Sequence, residues 1–157
     1  MSKVAICMAD GCEEIEGLTV VDVLRRGGME IDMVSISGDP YVTGSHNISF
    51  CADKLISEVN WAEYDGIVLP GGIPGTPNLL ANPEVVDALK LFAAEEKLIA
   101  AICAAPSVLG QVGLLEGKKA TSYPGFAEKM PGCQYQTDAV VSDGNIITSR
   151  GMGTAIA

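Results

Sequence analysis

Cys103 ends the apolar run "LIAAI" at 98–102 and opens the stretch "CAAPSVLGQ", whose alanines, valine and leucine suit a helix. A cysteine in an apolar run is ordinarily a small core hydrophobe. At a strand-to-helix turn it can instead stand above the sheet, near the first N–H groups of the helix, where thiolate is favoured. The elbow of the α/β-hydrolases exposes a serine by the same device. A nucleophilic thiol also needs a proton partner. The single histidine, His46, lies far off in sequence and Ala104 follows the cysteine, so a cysteine–histidine dyad is poorly supported. The other candidates are the carboxylates of "ADGCEEIE": Glu13, Glu14 and Glu16. They suit a helix N-terminus as solvated acids. With Ile15 and Leu18 turned inward, however, Glu16 is the acid best placed to face the core, where burial raises its pKa and makes it a proton donor. The stretch "LPGG" at 69–72 reads as a plain turn or as a nest of N–H donors for an oxyanion.

These three segments follow apolar strands. "KVAICMA" is a strand; the helix after it carries Ile15, Leu18, Val21 and Leu24 at helical spacing, Arg25 and Arg26 in its last turn, and a glycine stop. "MEIDMVSIS" alternates as a second strand, "YVTGSHNISFCA" reads as a hairpin across Gly44, and "YDGIVLPGG" is an apolar strand that breaks at Pro70. Asn82 and Pro83 open an amphipathic helix that leads to the strand at 98–102, and "AVVSDGNIITS" is a hairpin around Asp143-Gly144. Apolar strands alternating with helices predict a doubly wound, mostly parallel α/β sheet sandwiched by helices, with sites at the carboxyl ends of the strands. The loops holding Glu16, Gly72 and Cys103 converge on that edge.

One domain over 1–157 is expected from the length, and 48% hydrophobic residues supply its core. A net charge of -10 argues against nucleic acid and anionic membrane partners. No apolar run reaches the length of a membrane span or has the form of a signal peptide, so a cytoplasmic location is expected. Five cysteines (7, 12, 51, 103 and 133) without a C-x-x-C pair, beside one histidine, predict reduced thiols and no metal site.

The combination "ADGCEEIE", "YDGIVLPGG", "AAICAAP" and "TSRGMGTA", in order and over essentially the whole chain, resembles the ThiJ/PfpI family, in its protein-deglycase branch. The resemblance implies a flavodoxin-like, class I glutamine amidotransferase-like fold without cofactor, and a homodimer built on the first helix and the hairpin of His46 and Cys51. It implies Cys103 as nucleophile, Glu16 as its protonated partner, and Gly72 and Ala104 as backbone N–H donors to an oxyanion. The implied chemistry acts on methylglyoxal or glycated adducts, as a glyoxalase or deglycase; oxidation sensing or chaperoning through the same cysteine is the alternative. Family members with a protease role carry histidine at the position of Ala104. Tyr123 stands where many relatives carry histidine and is a further candidate for proton transfer. Relatives continue into a long C-terminal helix, so Thr154 is expected as the N-cap of a helix that 1–157 lacks.

Overall fold

In the computed structural model, which describes residues 2–157, the strands that read as near-continuous apolar runs stand side by side at the centre. The strands are β1 (Lys3–Met8), β2 (Glu30–Ser35), β3 (Tyr41–Thr43), β4 (Ser49–Cys51), β5 (Lys54–Leu55), β6 (Gly66–Leu69), β7 (Leu98–Ile102), β8 (Lys119–Ala120), β9 (Gln134–Tyr135), β10 (Val140–Asp143) and β11 (Ile146–Ser149). The helices are α1 (Glu14–Arg26), α2 (Gly75–Ala81), α3 (Pro83–Ala94) and α4 (Pro106–Gln111). Seven strands form the main sheet in the order β10-β11-β7-β6-β1-β2-β5. Every pairing in it is parallel except the edge hairpin β10–β11, where Asp143 pairs with Ile146 and the turn falls on Gly144-Asn145, one residue beyond the expected Asp143-Gly144. The expected doubly wound sheet is therefore present.

Strand alternation divides the core in two. Val4, Ile6 and Met8 of β1 pack on the face covered by α1, with Val21, Ile31 and Val68. Ala5, Cys7 and Ala9 point to the opposite face, with Leu79, Leu89 and Phe92 of α2 and α3 and Leu109 of α4. A one-residue slip in β1 would exchange these sets, so register and helix placement specify one another. Asn82 caps α3, its Oδ1 accepting the N–H groups of Glu84 (2.9 Å) and Val85 (3.2 Å), and Pro83 follows at the first helical position. Among the described residues no helix is long and apolar enough to cross a membrane.

Four local expectations change. Ile15, expected inward, is exposed, and its neighbours Glu14 and Glu16 are buried instead. The stretch after Pro70, expected as loop throughout, contains α2 from Gly75. Helix α4 starts three residues beyond Cys103 and is six residues long, because Cys103-Ala104-Ala105 form a turn closed by the Ala105 N–H to the Ile102 carbonyl (3.0 Å). Thr154 caps no helix: it closes a 3₁₀ turn at Met152–Thr154, its Oγ1 taking the Gly151 N–H at 3.2 Å and meeting Ser149 Oγ at 2.6 Å. Beside this turn, the sheet face of Val68, Ala100 and Ile147 lines an apolar groove of about 270 Å³ bounded by Val20 and Leu24 of α1.

Candidate active site

The end of β7 turns so sharply that Cys103 adopts φ +64, a left-handed conformation rare for a residue with a side chain. Both its main-chain polar groups are held: its N–H donates to the Ser149 carbonyl (2.9 Å), and its carbonyl accepts the Tyr123 N–H (2.8 Å). The neighbouring strand β11 and the segment after β8 thus fix the elbow. The thiol is half-buried, while Ala104 and Ala105 beneath it are buried.

Glu16 reaches this thiol from the first turn of α1. It is 1% exposed, and neither carboxyl oxygen has a hydrogen-bond partner of ordinary geometry among the described residues. Gly71 is the spacer that brings the two together. A Cβ added there would fall 2.7 Å from both Cys103 Cβ and Glu16 Oε1. The Gly71 carbonyl accepts the Glu13 N–H at 2.9 Å, tying the "PGG" turn to the start of α1. Gly72 follows with φ +95, in a conformation that glycine adopts without strain.

The electrostatics follow from this burial. Desolvation raises the Glu16 carboxyl from 4.5 to about 7; the Cys103 thiol opposes the rise, the charge on Glu13 adds to it, and the Gly71 N–H opposes it. The Cys103 thiol is pushed up to about 12 by burial, by the charge of Glu16 and by its interaction with that carboxylate, while the N–H groups of Ala104 and Gly72 pull it down. Two negative charges do not coexist here. The pair carries at most one near neutrality: the carboxyl, at about 7, ionises well before the thiol, at about 12, so the sulfur holds its proton while the two backbone donors facing it lower the cost of moving the charge there. The expected contribution of a helix N-terminus is absent, because α4 is short and begins at Pro106.

Glu16 and Cys103 are therefore brought together, and the Gly72 and Ala104 N–H groups face the sulfur. Tyr123 reaches the site through its main chain, while its side chain is exposed. Sequence reasoning gave no role to Gly71 or Ser149, and it named Glu13 only as one of three acids suited to a helix N-terminus. Glu13 is the N-cap of α1, its Oε2 accepting the Glu16 N–H at 3.0 Å, and the double acid of "EEIE" was the signal for it. Glu14 is also buried. Burial would raise its pKa, yet the His46 ring at 3.0 Å and the N–H groups of Glu14, His46 and Ile48 hold it below the usual carboxylate range. That contact ties the β3–β4 hairpin to α1, and it raises His46 through its hydrogen bond to Glu14 and the charge there.

The pattern of the DJ-1/PfpI family matches residues 2–157. The chain belongs to the DJ-1/PfpI family. It is 42% identical over 156 residues to protein DJ-1 homolog B of Arabidopsis thaliana, covering 98% of this chain and 36% of the relative. The DJ-1/PfpI chain thus spans about two fifths or less of the length of the two Arabidopsis relatives. A Pyrococcus abyssi (strain GE5 / Orsay) protein named a deglycase is 34% identical, with 99% of this chain and 93% of that one covered. The structure of oxidized DJ-1 from Toxoplasma gondii superposes with a TM-score of 0.95 at 39% identity, covering 99% of this chain and 85% of that one.

A carboxyl whose folded pKa exceeds its unfolded one binds its proton more tightly in the fold. Its contribution to stability is present below about 4.5 and is lost as pH rises through about 7. Glu16→Gln should accordingly be more stable than the parent at pH 8, by on the order of 3 kcal/mol. The advantage should shrink towards zero at pH 5 in urea denaturation. A pH-independent difference would place the carboxylate in water.

Proposed function

We propose that this DJ-1/PfpI protein is a cofactor-independent enzyme acting on reactive carbonyls, through Cys103 and a protonated Glu16. The carrying observation is the buried, unpartnered Glu16 carboxyl set against a strained, half-buried thiol. The family membership and the relative named a deglycase support the same reading.

On a 2-oxoaldehyde, the Cys103 thiol passes its proton to the Glu16 carboxylate as the sulfur adds to the aldehyde carbon, and the carbonyl electron pair becomes an alkoxide, facing the N–H groups of Gly72 and Ala104. Glu16 gives its proton to that oxygen, yielding a hemithioacetal. As a carboxylate, Glu16 then takes the proton from the former aldehyde carbon and passes it to the neighbouring carbonyl oxygen, giving an enediol. A second transfer, from the enediol hydroxyl on the sulfur-bearing carbon to the adjacent carbon, leaves a thioester of a 2-hydroxy acid. Water hydrolyses it and restores the thiol. The sum is aldehyde plus water to hydroxy acid, with no oxidant. Tyr123 has no proton-transfer step in this sequence; its main chain holds the elbow. The reading also takes the protein as a homodimer joined through α1 and the His46 hairpin.

Lactate formation from methylglyoxal tests it. Cys103→Ser and Glu16→Leu should each abolish lactate, and so should Glu16→Gln, which keeps a donor and loses the base. Lactate from Cys103→Ser would refute the scheme.

A second reading, oxidation sensing, is favoured by the accessibility of the thiol and by the oxidised state of the Toxoplasma DJ-1 structure. Cys7 and Cys12 are buried, whereas the Cys103 thiol is only half-buried, so exposure and not thiol acidity sets Cys103 apart from them. Cys51 is exposed and lacks a carboxyl partner, so it serves as the internal control. Low-dose peroxide should give sulfinate on Cys103 before Cys51 or Cys133 in peptide mass spectra. Faster oxidation of Cys51 would remove this reading.

A further inference from the structure

The one histidine of the chain is held against the carboxylates that flank Glu16. His46 comes from the β3–β4 hairpin, and its Nδ1 lies 3.0 Å from Glu14 Oε2, 3.4 Å from Glu13 Oε1 and 3.2 Å from Ser45 Oγ. Its main-chain N–H donates to Glu14 Oε1 at 2.8 Å, so ring and backbone are both anchored to α1. Glu13 turns its other oxygen to Glu16: Oε2 accepts the Glu16 N–H at 3.0 Å. One carboxylate thus joins the ring to the residue that carries the site's proton.

Two carboxylates facing Nδ1 keep a proton on that nitrogen in both forms of the ring, which therefore gains and loses its charge at Nε2. The hydrogen bond to Glu14 survives that change, and only the charge beside Glu13 and Glu14 switches. The imidazolium is favoured by the hydrogen bond to Glu14 and by the charge there; partial desolvation opposes it and the charge on Glu13 adds to it. Glu16 holds its proton chiefly because it is desolvated, and the charge on Glu13 strengthens the hold. An imidazolium 3.4 Å from Glu13 offsets that charge, whereas a neutral ring leaves it whole. The titratable groups set against Glu16 are Cys103 and Glu13; those set against the ring are Glu13 and Glu14.

We propose that His46 sets, through Glu13, the pH range in which Glu16 changes from acid to base. With the ring charged, Glu16 releases its proton more readily and more of it stands ready to accept the thiol proton. Once the ring is neutral, Glu16 keeps its proton to higher pH. His46 acts through Glu13 and is a positioning residue, not a catalytic one. The coupling runs inside one chain, through Nδ1, so it needs neither the ring nor α1 to face solvent and holds in a homodimer joined through these elements. It rests on the buried proton of Glu16, which the carbonyl reading also uses, and not on turnover.

The side-chain carboxyl of Glu16 reports this in carbon-13 NMR, its signal assigned by loss in Glu16→Gln. His46→Gln keeps the main-chain anchor and removes the charge; it should raise the Glu16 midpoint by about half a pH unit, the scale of a part-exposed charge pair. His46→Lys, which stays charged, should leave the midpoint at or below that of the parent. Glu13→Gln keeps an oxygen to cap α1 and loses the charge; it should lower the midpoint, and adding His46→Gln to it should then move the midpoint much less. An unchanged midpoint in His46→Gln, or a rise in His46→Lys, overturns the proposal. So does a full-sized rise on adding His46→Gln to Glu13→Gln, which would come from the hairpin or a subunit contact and not through Glu13. A parent midpoint near 4.5, as for a solvated glutamate, overturns it as well. Lactate formation from methylglyoxal is scored separately. The full set of shifts without lactate upholds the coupling and refutes the carbonyl reading; lactate without the shifts does the reverse.

Discussion

A carboxyl buried to 1% exposure, with only the Cys103 thiol and the Gly71 N–H close enough to answer its charge, is costly to ionise, and the rest of this site is arranged around that cost. Glu16 can stay neutral at pH values where every solvated acid has lost its proton. Neutrality lets it stand beside Cys103, because a charged Glu16 would push the thiol further from ionisation. Gly71 permits the approach, since any side chain there would collide with both groups. Glu13 fixes the start of α1 and so the depth at which Glu16 enters.

The sheet supplies the other half of this constraint. A left-handed cysteine persists because β11 and the segment after β8 each hold one of its main-chain polar groups. Strands β1, β6 and β7 are adjacent and parallel, so their three following loops emerge at one edge and place Glu16, Gly71-Gly72 and Cys103 together. Chemistry drawn from residues far apart in sequence is thus a consequence of strand order.

Much of this was legible in the sequence. β7 ends at Ile102 as its apolar run implied, Asn82 caps α3, and Glu16 is the acid turned inward. The inward turn came for a different reason from the one expected: Ile15 faces solvent, and the buried pair is Glu14 with Glu16. Helical spacing alone could not show this, because the partners that make Glu14 tolerable in the interior, the ring and N–H of His46, come from a hairpin 32 residues away. Helix α4 proved too short and too late to stabilise a thiolate, since three residues are spent on the elbow before Pro106 begins it. The assistance expected from a helix comes instead from two backbone donors, on Ala104 and Gly72. Helix α2 was hidden by its glycines and prolines, which read as loop, although Pro74 stands at its N-cap.

The protonation of Glu16 is the claim on which the chemistry rests, and infrared difference spectroscopy observes it directly. The parent protein minus Glu16→Gln should show a carboxylic-acid C=O stretch at pH 6 that disappears as pH rises through about 7. A difference spectrum without that band, or with one that titrates near 4.5 like a solvated glutamate, would contradict the account.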